Sequence, residues 1–361
     1  MRILMTADTV GGVWSYALGL ASEFSARGIH VALATMGRPL TDAQWLQAGA
    51  IPTLAIHESE FRLEWMQTPW EDVDAARAWL LELERRVRPD VAHLNNYAHG
   101  DLPWRAPVVL VGHSCVYSWW DAVRGGRPPD AYERYEEVVR AGLTAADRVV
   151  APSRFMLSEL TRHYGPLPHG EVIYNGTDPL RFRPGAKEPL VLTVGRLWDE
   201  AKNVQAAVQA AEFFEWPLLL AGDTRHPEGW NVDLGDVRHL GTLAPDALAR
   251  WYSAASIYLA PARYEPFGLS VLEAALSGCA LVLGDVPSLR ELWGTVAHFV
   301  PPDSPEAIAD AVNRLIEEPE LREAMGARAH AAAHRFTLAR CAEAYLDQYA
   351  TLCPLALHRT H

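Results

Sequence analysis

The sequence predicts an α/β protein of two doubly wound parallel halves that face each other across a cleft. Three observations carry this: short β-branched and apolar runs alternate with helix-period segments, the alternation stops once near the middle and restarts, and 361 residues suffice for two domains. The first run, Arg2 to Thr6, leads into Gly11-Gly12, after which Val13, Tyr16, Ala17, Leu20, Ala21 and Phe24 recur at helical spacing up to Arg27-Gly28. Ile29 to Thr35 reads as a strand buried on both faces, closed by Gly37-Arg38-Pro39. Further strands are expected at Val91–Leu94, Val108–Val111, Val149–Ala151 and Glu171–Tyr174, with helices between Glu71 and Val87 and between Tyr132 and Ala145.

From Asp178 to Pro189 the chain turns to Pro, Gly, Arg and Lys without a period, the composition of a domain boundary. This puts one domain at 1–180 and the other at 189–336. In the second half, strands are expected at Leu190–Val194, Leu218–Ala221, Ile257–Ala260, Ala280–Leu283 and His298–Val300, and helices at Asn203–Phe214, Pro245–Ser253, Val271–Ser277 and Pro305–Glu317. Thr337 to Leu352 carries Leu338, Cys341, Ala342, Tyr345, Leu346 and Tyr349 on one helical face and can cap either half.

A hydrophobic share of 49% with 21% charged residues excludes a disordered chain. The net charge of −13 disfavours nucleic acid and anionic lipid as partners, leaving at most peripheral membrane contact. No apolar run is long enough to span a membrane, and the polar residues from Thr6 onward interrupt the N-terminus too early for a secretory signal, so a cytoplasmic protein is expected. Cys115, Cys279, Cys341 and Cys353 lie far apart and fit neither a disulfide framework nor a zinc site; ordinary reduced thiols are expected.

Ligands of open α/β sheets bind beyond the carboxyl ends of the strands, which directs attention to three segments. Gly11-Gly12 follows the first strand and opens a helix, where backbone N–H groups favour an anion; a tight turn needing glycine explains it equally well. Arg196 and Lys202, six residues apart after the first strand of the second half, offer a fork and a point charge suited to a diphosphate, unless they are solvated surface charges. The third segment runs from Arg263 to Ala275. Here Pro266 and Gly268 hold Glu265 in a turn, Phe267, Gly268 and Leu269 present amides at a helix start, and Glu273 is either a ligand group or the partner of Ser270 in a capping box. Glu265, a charge between apolar neighbours, is better explained by a ligand's hydroxyls than by packing.

With these residues the second half closely resembles the retaining glycosyltransferase family 4, whose GT-B architecture pairs two Rossmann-like domains. The E-x7-E motif matches Glu265 to Glu273, the G-R-x(n)-K-[GN] element matches Gly195-Arg196 and Lys202-Asn203, and the N-G-[VTI]-D segment matches Asn175-Gly176-Thr177-Asp178. The resemblance continues through Gly241-Thr242-Leu243 and Ala274 to Gly278, and in the first half through Gly11-Gly12 and His113 in Val111-Gly112-His113-Ser114. It implies an acceptor-binding first domain, a donor-binding second domain and a terminal helix, 337–361, packed back on the first.

The resemblance also implies roles. Arg196 and Lys202 bind the donor diphosphate and stabilise its charge, Glu265 meets sugar hydroxyls, Glu273 grips the ribose, and His113 lies near the reacting sugar unless it is a structural strand-end histidine. Gly11, Gly12, Asn175, Phe267, Gly268 and Leu269 complete the expected donor-binding set. Retention requires a carboxylate nucleophile or attack from the leaving-group face, and cations at the reacting end favour the second, front-face course, with the departing phosphate taking the acceptor's proton. No D-x-D motif is seen at a strand end, so no metal and no other cofactor is expected. The donor is a nucleotide sugar, UDP-glucose by family frequency, and the acceptor a small molecule, glycan or lipid-linked group, the acidic balance favouring a soluble one.

Two departures bear on donor identity: Cys279-Ala280 stands where the family often has Thr-Pro or Val-Pro, and Asp285-Val286-Pro287-Ser288 replaces a Gly-Gly-x-Pro turn. Trp14, Trp65, Trp70, Trp104, Trp119 and Trp120 crowd the first half, and Trp119-Trp120 is a candidate acceptor platform. Competing functions are nucleotide-sugar epimerisation or hydrolysis on the same architecture, and a silent nucleotide-sugar-binding protein. Nicotinamide redox chemistry is disfavoured by the missing full glycine fingerprint.

Overall fold

Strand β1 (Arg2–Asp8) is buried from Ile3 to Ala7, as its apolar run requires, and pairs in parallel with β2 (His30–Met36) on one side and β4 (Val91–Leu94) on the other. Around this centre the first sheet adds β3 (Leu54–Glu58), β5 (Val108–Val111), β6 (Arg148–Ala151) and β7 (Gly170–Val172) in the order β3-β2-β1-β4-β5-β6-β7, every pair parallel. The computed structural model describes residues 1–9, 11–226 and 229–354; the end of the expected terminal segment, 355–361, lies outside the described residues. No described helix is long and apolar enough to cross a membrane.

Helices α1 (Gly12–Ala26), α2 (Asp42–Gly49), α3 (Trp70–Val87), α4 (Val116–Arg124), α5 (Glu133–Ala145) and α6 (Arg154–Tyr164) follow the strands of this sheet. Its inner face buries Ile3, Met5, Val31 and Leu33 under Ala17, Leu20 and Phe24 of α1, and Leu4, Ala32 and Ala34 meet Leu80 and Leu83 of α3 on the other face.

The second sheet holds β8 (Glu188–Val194), β9 (Leu218–Ala221), β10 (Arg238–His239), β11 (Ala255–Ala260), β12 (Ala280–Gly284) and β13 (His298–Val300) in the order β10-β9-β8-β11-β12-β13, again all parallel. Its helices are α7 (Val204–Ala211), α8 (Pro245–Ala254), α9 (Leu269–Leu276), α10 (Pro287–Trp293), α11 (Pro305–Glu317) and α12 (Pro319–Ala333). A last helix, α13 (Leu338–Leu352), buries Cys341, Ala342, Tyr345 and Tyr349 in the core of the first unit. A Cβ placed on Gly19 of α1 would stand 3.0 Å from the Leu338 side chain, so a glycine there lets α13 approach α1 closely.

The chain divides into a unit of Met1–Asp121, Gly126–Asn175 and the residues from Leu338 on, and a unit of Ala122–Gly125 and Gly176–Thr337. The division falls ahead of the Pro- and Gly-rich stretch rather than after Leu180: Thr177 bridges to Thr337 and Phe182 is buried against Tyr252, so this stretch packs with the second unit. The helix expected at Asn203–Phe214 starts one residue later, because Asn203 is held in the left-handed region at φ 53°, and ends at Ala211.

Candidate functional site

In both sheets the strand order reverses once, between β1 and β4 and between β8 and β11, and open α/β sheets bind ligands beyond the carboxyl ends of strands at that point. At the second sheet's reversal Arg196 follows β8 and Glu265 follows β11, and the chain between them is fixed by its own polar groups. Asp199, buried, accepts from an Arg196 Nη at 2.8 Å and from the Ala201 amide at 3.0 Å, holding the guanidinium and capping the short turn Glu200–Lys202. The Arg263 amide donates to the Ala201 carbonyl at 2.9 Å, and Asn203 Nδ2 donates to the Pro261 carbonyl at 3.0 Å, so the two loops are joined. Lys202 Nζ then lies 2.5 Å from Glu265 Oε2, their side chains 23% and 12% exposed. Arg196 is more open, at 40%, with its guanidinium 5.3 Å from the Trp198 ring.

Gly268 starts α9 with φ 84°, and a Cβ there would meet Val271 at 3.0 Å and Glu265 at 3.2 Å, so glycine is required by both the turn and the carboxylate packed on it. The first N–H groups of α9, from Leu269 on, have no intrahelical acceptor and stand at the positive end of the helix dipole. The capping box expected from Ser270 and Glu273 does not form: α9 begins two residues earlier, with Gly268 at its N-cap and no side-chain cap. Glu273 instead sits in mid-helix, half-buried. Desolvation raises its pKa to about 7, against the smaller opposing effects of the Tyr252 hydroxyl and Arg181. Ser288, from the departing turn after β12, donates to the Glu265 carbonyl and pins it.

Beyond β4 and β5, beside the first sheet's reversal, the groups are neutral. Asn95, just beyond β4, donates its backbone amide to Thr6 Oγ1 at 2.8 Å and its Nδ2 to the Thr6 carbonyl at 2.7 Å. Its Oδ1 can only accept, so His113 Nε2, 2.8 Å away, carries the proton and Nδ1 keeps a lone pair. Burial holds the His113 pKa down at about 4, and the Tyr16 ring meets the imidazole edge-on at 4.5 Å. Gly11 takes φ 102°, a conformation that selects glycine, whereas Gly12 is the first residue of α1. Asn175, 6% exposed, has a buried Oδ1 without a hydrogen-bond partner among the described residues.

The sequence gives no sign of the positioning roles of Asn95, Asp199, Asn203 and Ser288, which hold His113, Arg196, the Lys202 turn and Glu265 respectively, although Asn203 and Ser288 stand in segments it singles out. The expected Trp119–Trp120 pair is half-buried, its rings tilted with centroids 6.1 Å apart, and Trp120 leans on Tyr132. Trp14 is buried, with Nε1 donating to Gln47. Cys279 is also buried, its thiol beside Lys187 and pushed up to about 11 by desolvation.

The family model described as Glycosyltransferase Family 4 matches residues 10–181, and the model for Glycosyl transferases group 1 matches residues 188–318. A D-inositol 3-phosphate glycosyltransferase of Nocardia farcinica is 26% identical over 94% of this chain and 84% of its own length. A glycogen synthase of Mycobacterium tuberculosis is 30% identical over 71% of this chain, the match spanning 66% of that relative, just under two thirds. Among solved structures, sucrose-phosphate synthase from Thermosynechococcus elongatus superposes with a TM-score of 0.81 at 22% identity, over 98% of this chain and 99% of the other. The Anabaena protein HepE, solved with UDP-glucose, superposes with a TM-score of 0.77 at 18% identity, over 98% of this chain and the whole of the other.

Proposed function

The chain is a glycosyltransferase of family 4 with the GT-B fold, and from that premise we propose that it moves a hexose from a nucleoside-diphosphate sugar to an acceptor hydroxyl with retention of anomeric configuration. The observation that carries the reading is the meeting, at one switch point, of Arg196 held by Asp199, Lys202 against Glu265, and the N-terminus of α9. These groups match the charge of a diphosphate and the charge that builds on it as the glycosidic bond breaks. A phosphate oxygen arriving at Lys202 replaces Glu265 as its partner, and the released carboxylate accepts from sugar hydroxyls.

Glu273 accepts from the ribose hydroxyls, and the buried Oδ1 of Asn175 and the lone pair of His113 Nδ1 are further acceptors for hydroxyl groups. We assign the donor to the second unit and the acceptor to the first. The reaction follows the front-face course, in which the leaving phosphate takes the acceptor's proton while the cations stabilise it. UDP-glucose, the ligand in HepE, is the first donor to try.

The test is to incubate the protein with UDP-, GDP-, ADP- and dTDP-sugars and a panel of polyol, sugar-phosphate and glycan acceptors, reading nucleotide release and product anomer by NMR. An axially linked donor sugar should give an axially linked product, with release dependent on acceptor. An inverted product would refute the retaining course, and acceptor-independent release would support hydrolysis or epimerisation instead.

A further inference from the structure

The opposite end of α9, which the donor reading does not use, adjoins a pair of histidines. His330 and His334 lie four residues apart at the end of α12, where side chains share one face. Their Nε2 atoms face each other at 3.3 Å, with the ring planes at 85°. His330 Nδ1 is 2.6 Å from the Leu276 carbonyl oxygen, which can only accept. Nδ1 therefore carries the proton, and the Nε2 lone pair of His330 points at His334. His334 itself is exposed, so the pair can be reached from solvent.

We propose that His330 and His334 form a binding site for a divalent transition-metal ion of the zinc type, with water filling the remaining positions. Two imidazole nitrogens each about 2.05 Å from a tetrahedral zinc ion stand about 3.3 Å apart, the separation already present here. The bond from His330 Nδ1–H to a backbone carbonyl is the contact that commonly fixes the tautomer and direction of a metal-bound histidine. The surrounding field suits a cation as well, since the carboxyl ends of α9, at Leu276, and of α12, at Ala333, converge on the pair. Arg335, the adjacent cation, donates to the Leu292 carbonyl and lies over the Phe336 ring instead. When the ion binds, His334 moves its proton from Nε2 to Nδ1, so that both ligands are neutral and no proton need be released.

A second cluster, Asp121, Glu159 and His163, supplies the contrast for the test. Its ligand atoms lie within 4.8 Å of one another, but Arg162 is ion-paired to Asp121 at 2.6 Å and to Glu159 as well, and so supplies the positive charge already. The experiment is zinc binding to the chelator-treated full-length protein, measured by competition with a chromophoric chelator, for the wild type, His334→Ala, His330→Gln and His163→Ala. One zinc ion per chain is expected, weakened about 10-fold or more in His334→Ala and His330→Gln and unchanged in His163→Ala. Absent binding, or binding that survives His334→Ala and His330→Gln, overturns the proposal. Nucleotide-sugar binding in the presence of chelator should be the same for His334→Ala and the wild type, so the outcome does not depend on the transferase reading.

Discussion

Beyond β4 and β5 of the first sheet the polar groups are neutral and bonded to one another, Asn95 to Thr6 and His113, whereas beyond β8 and β11 of the second they are charged, Arg196 against Asp199 and Lys202 against Glu265. The strand order around the two sheets' reversals is the same, so the fold supplies the position and the loop residues supply the chemistry. The neutral site offers fixed acceptors, suited to hydroxyl groups. The charged site stores its cations in ion pairs that an incoming anion can exchange, suited to a diphosphate.

The largest expected effect is on turnover at the charged end. Lys202→Met should lower kcat by about 100-fold or more, the usual cost of removing a preorganised group that stabilises transition-state charge, while the urea midpoint changes little. Near-normal turnover would remove Lys202 from the reaction. At the neutral end Asn95→Ala should do the opposite: a turnover loss of about 10-fold with a stability loss of about 2 kcal/mol, because the Thr6 carbonyl and His113 Nε2–H lose a buried partner. A larger kinetic effect for Asn95→Ala than for Lys202→Met would reverse the comparison.

The smallest effect distinguishes Glu273 by pH. Its carboxyl keeps a proton up to about pH 7 in the folded chain, whereas an unfolded glutamate releases it near 4.5. The folded state therefore binds more protons between these values, and stability falls as pH rises through that window. Glu273→Gln, which never ionises, should be more stable than the wild type by about 2 kcal/mol at pH 8, and the gain should vanish near pH 4.5. Donor affinity should move the other way in the wild type, strengthening as Glu273 ionises to accept hydroxyl bonds. Chemical denaturation at the two pH values checks the first, and a pH series of nucleotide binding the second.

The charged site was legible in the sequence because Arg196 and Lys202 lie six residues apart and Glu265 and Glu273 eight apart, close enough to match two motifs of the family; spacing alone left surface charges and a capping box as alternatives. Of the neutral site only His113 was, through the resemblance: its partners Thr6 and Asn95 come from other strand ends and meet it only when β1, β4 and β5 lie side by side. Wholly apolar strands buried on both faces, such as Val108–Val111 and Leu218–Ala221, match their apolar runs to the residue, since an uninterrupted apolar run marks both faces at once. The partly exposed elements α2 and β3 carry a weak pattern and were missed. The false capping box shows the limit of a local motif. Ser270 and Glu273 have the right spacing, but Gly268 can adopt the left-handed turn and starts the helix first.

The most direct test of the account is thermal unfolding of the wild type and of Lys202→Met against UDP-, GDP-, ADP- and dTDP-sugars, because a ligand that binds only the folded state raises its stability by mass action. The account predicts a clear upward shift with one of these nucleotide sugars, much reduced in Lys202→Met. A well-folded wild type that shifts with none of them, or a variant that shifts equally, would contradict a diphosphate site built on Lys202.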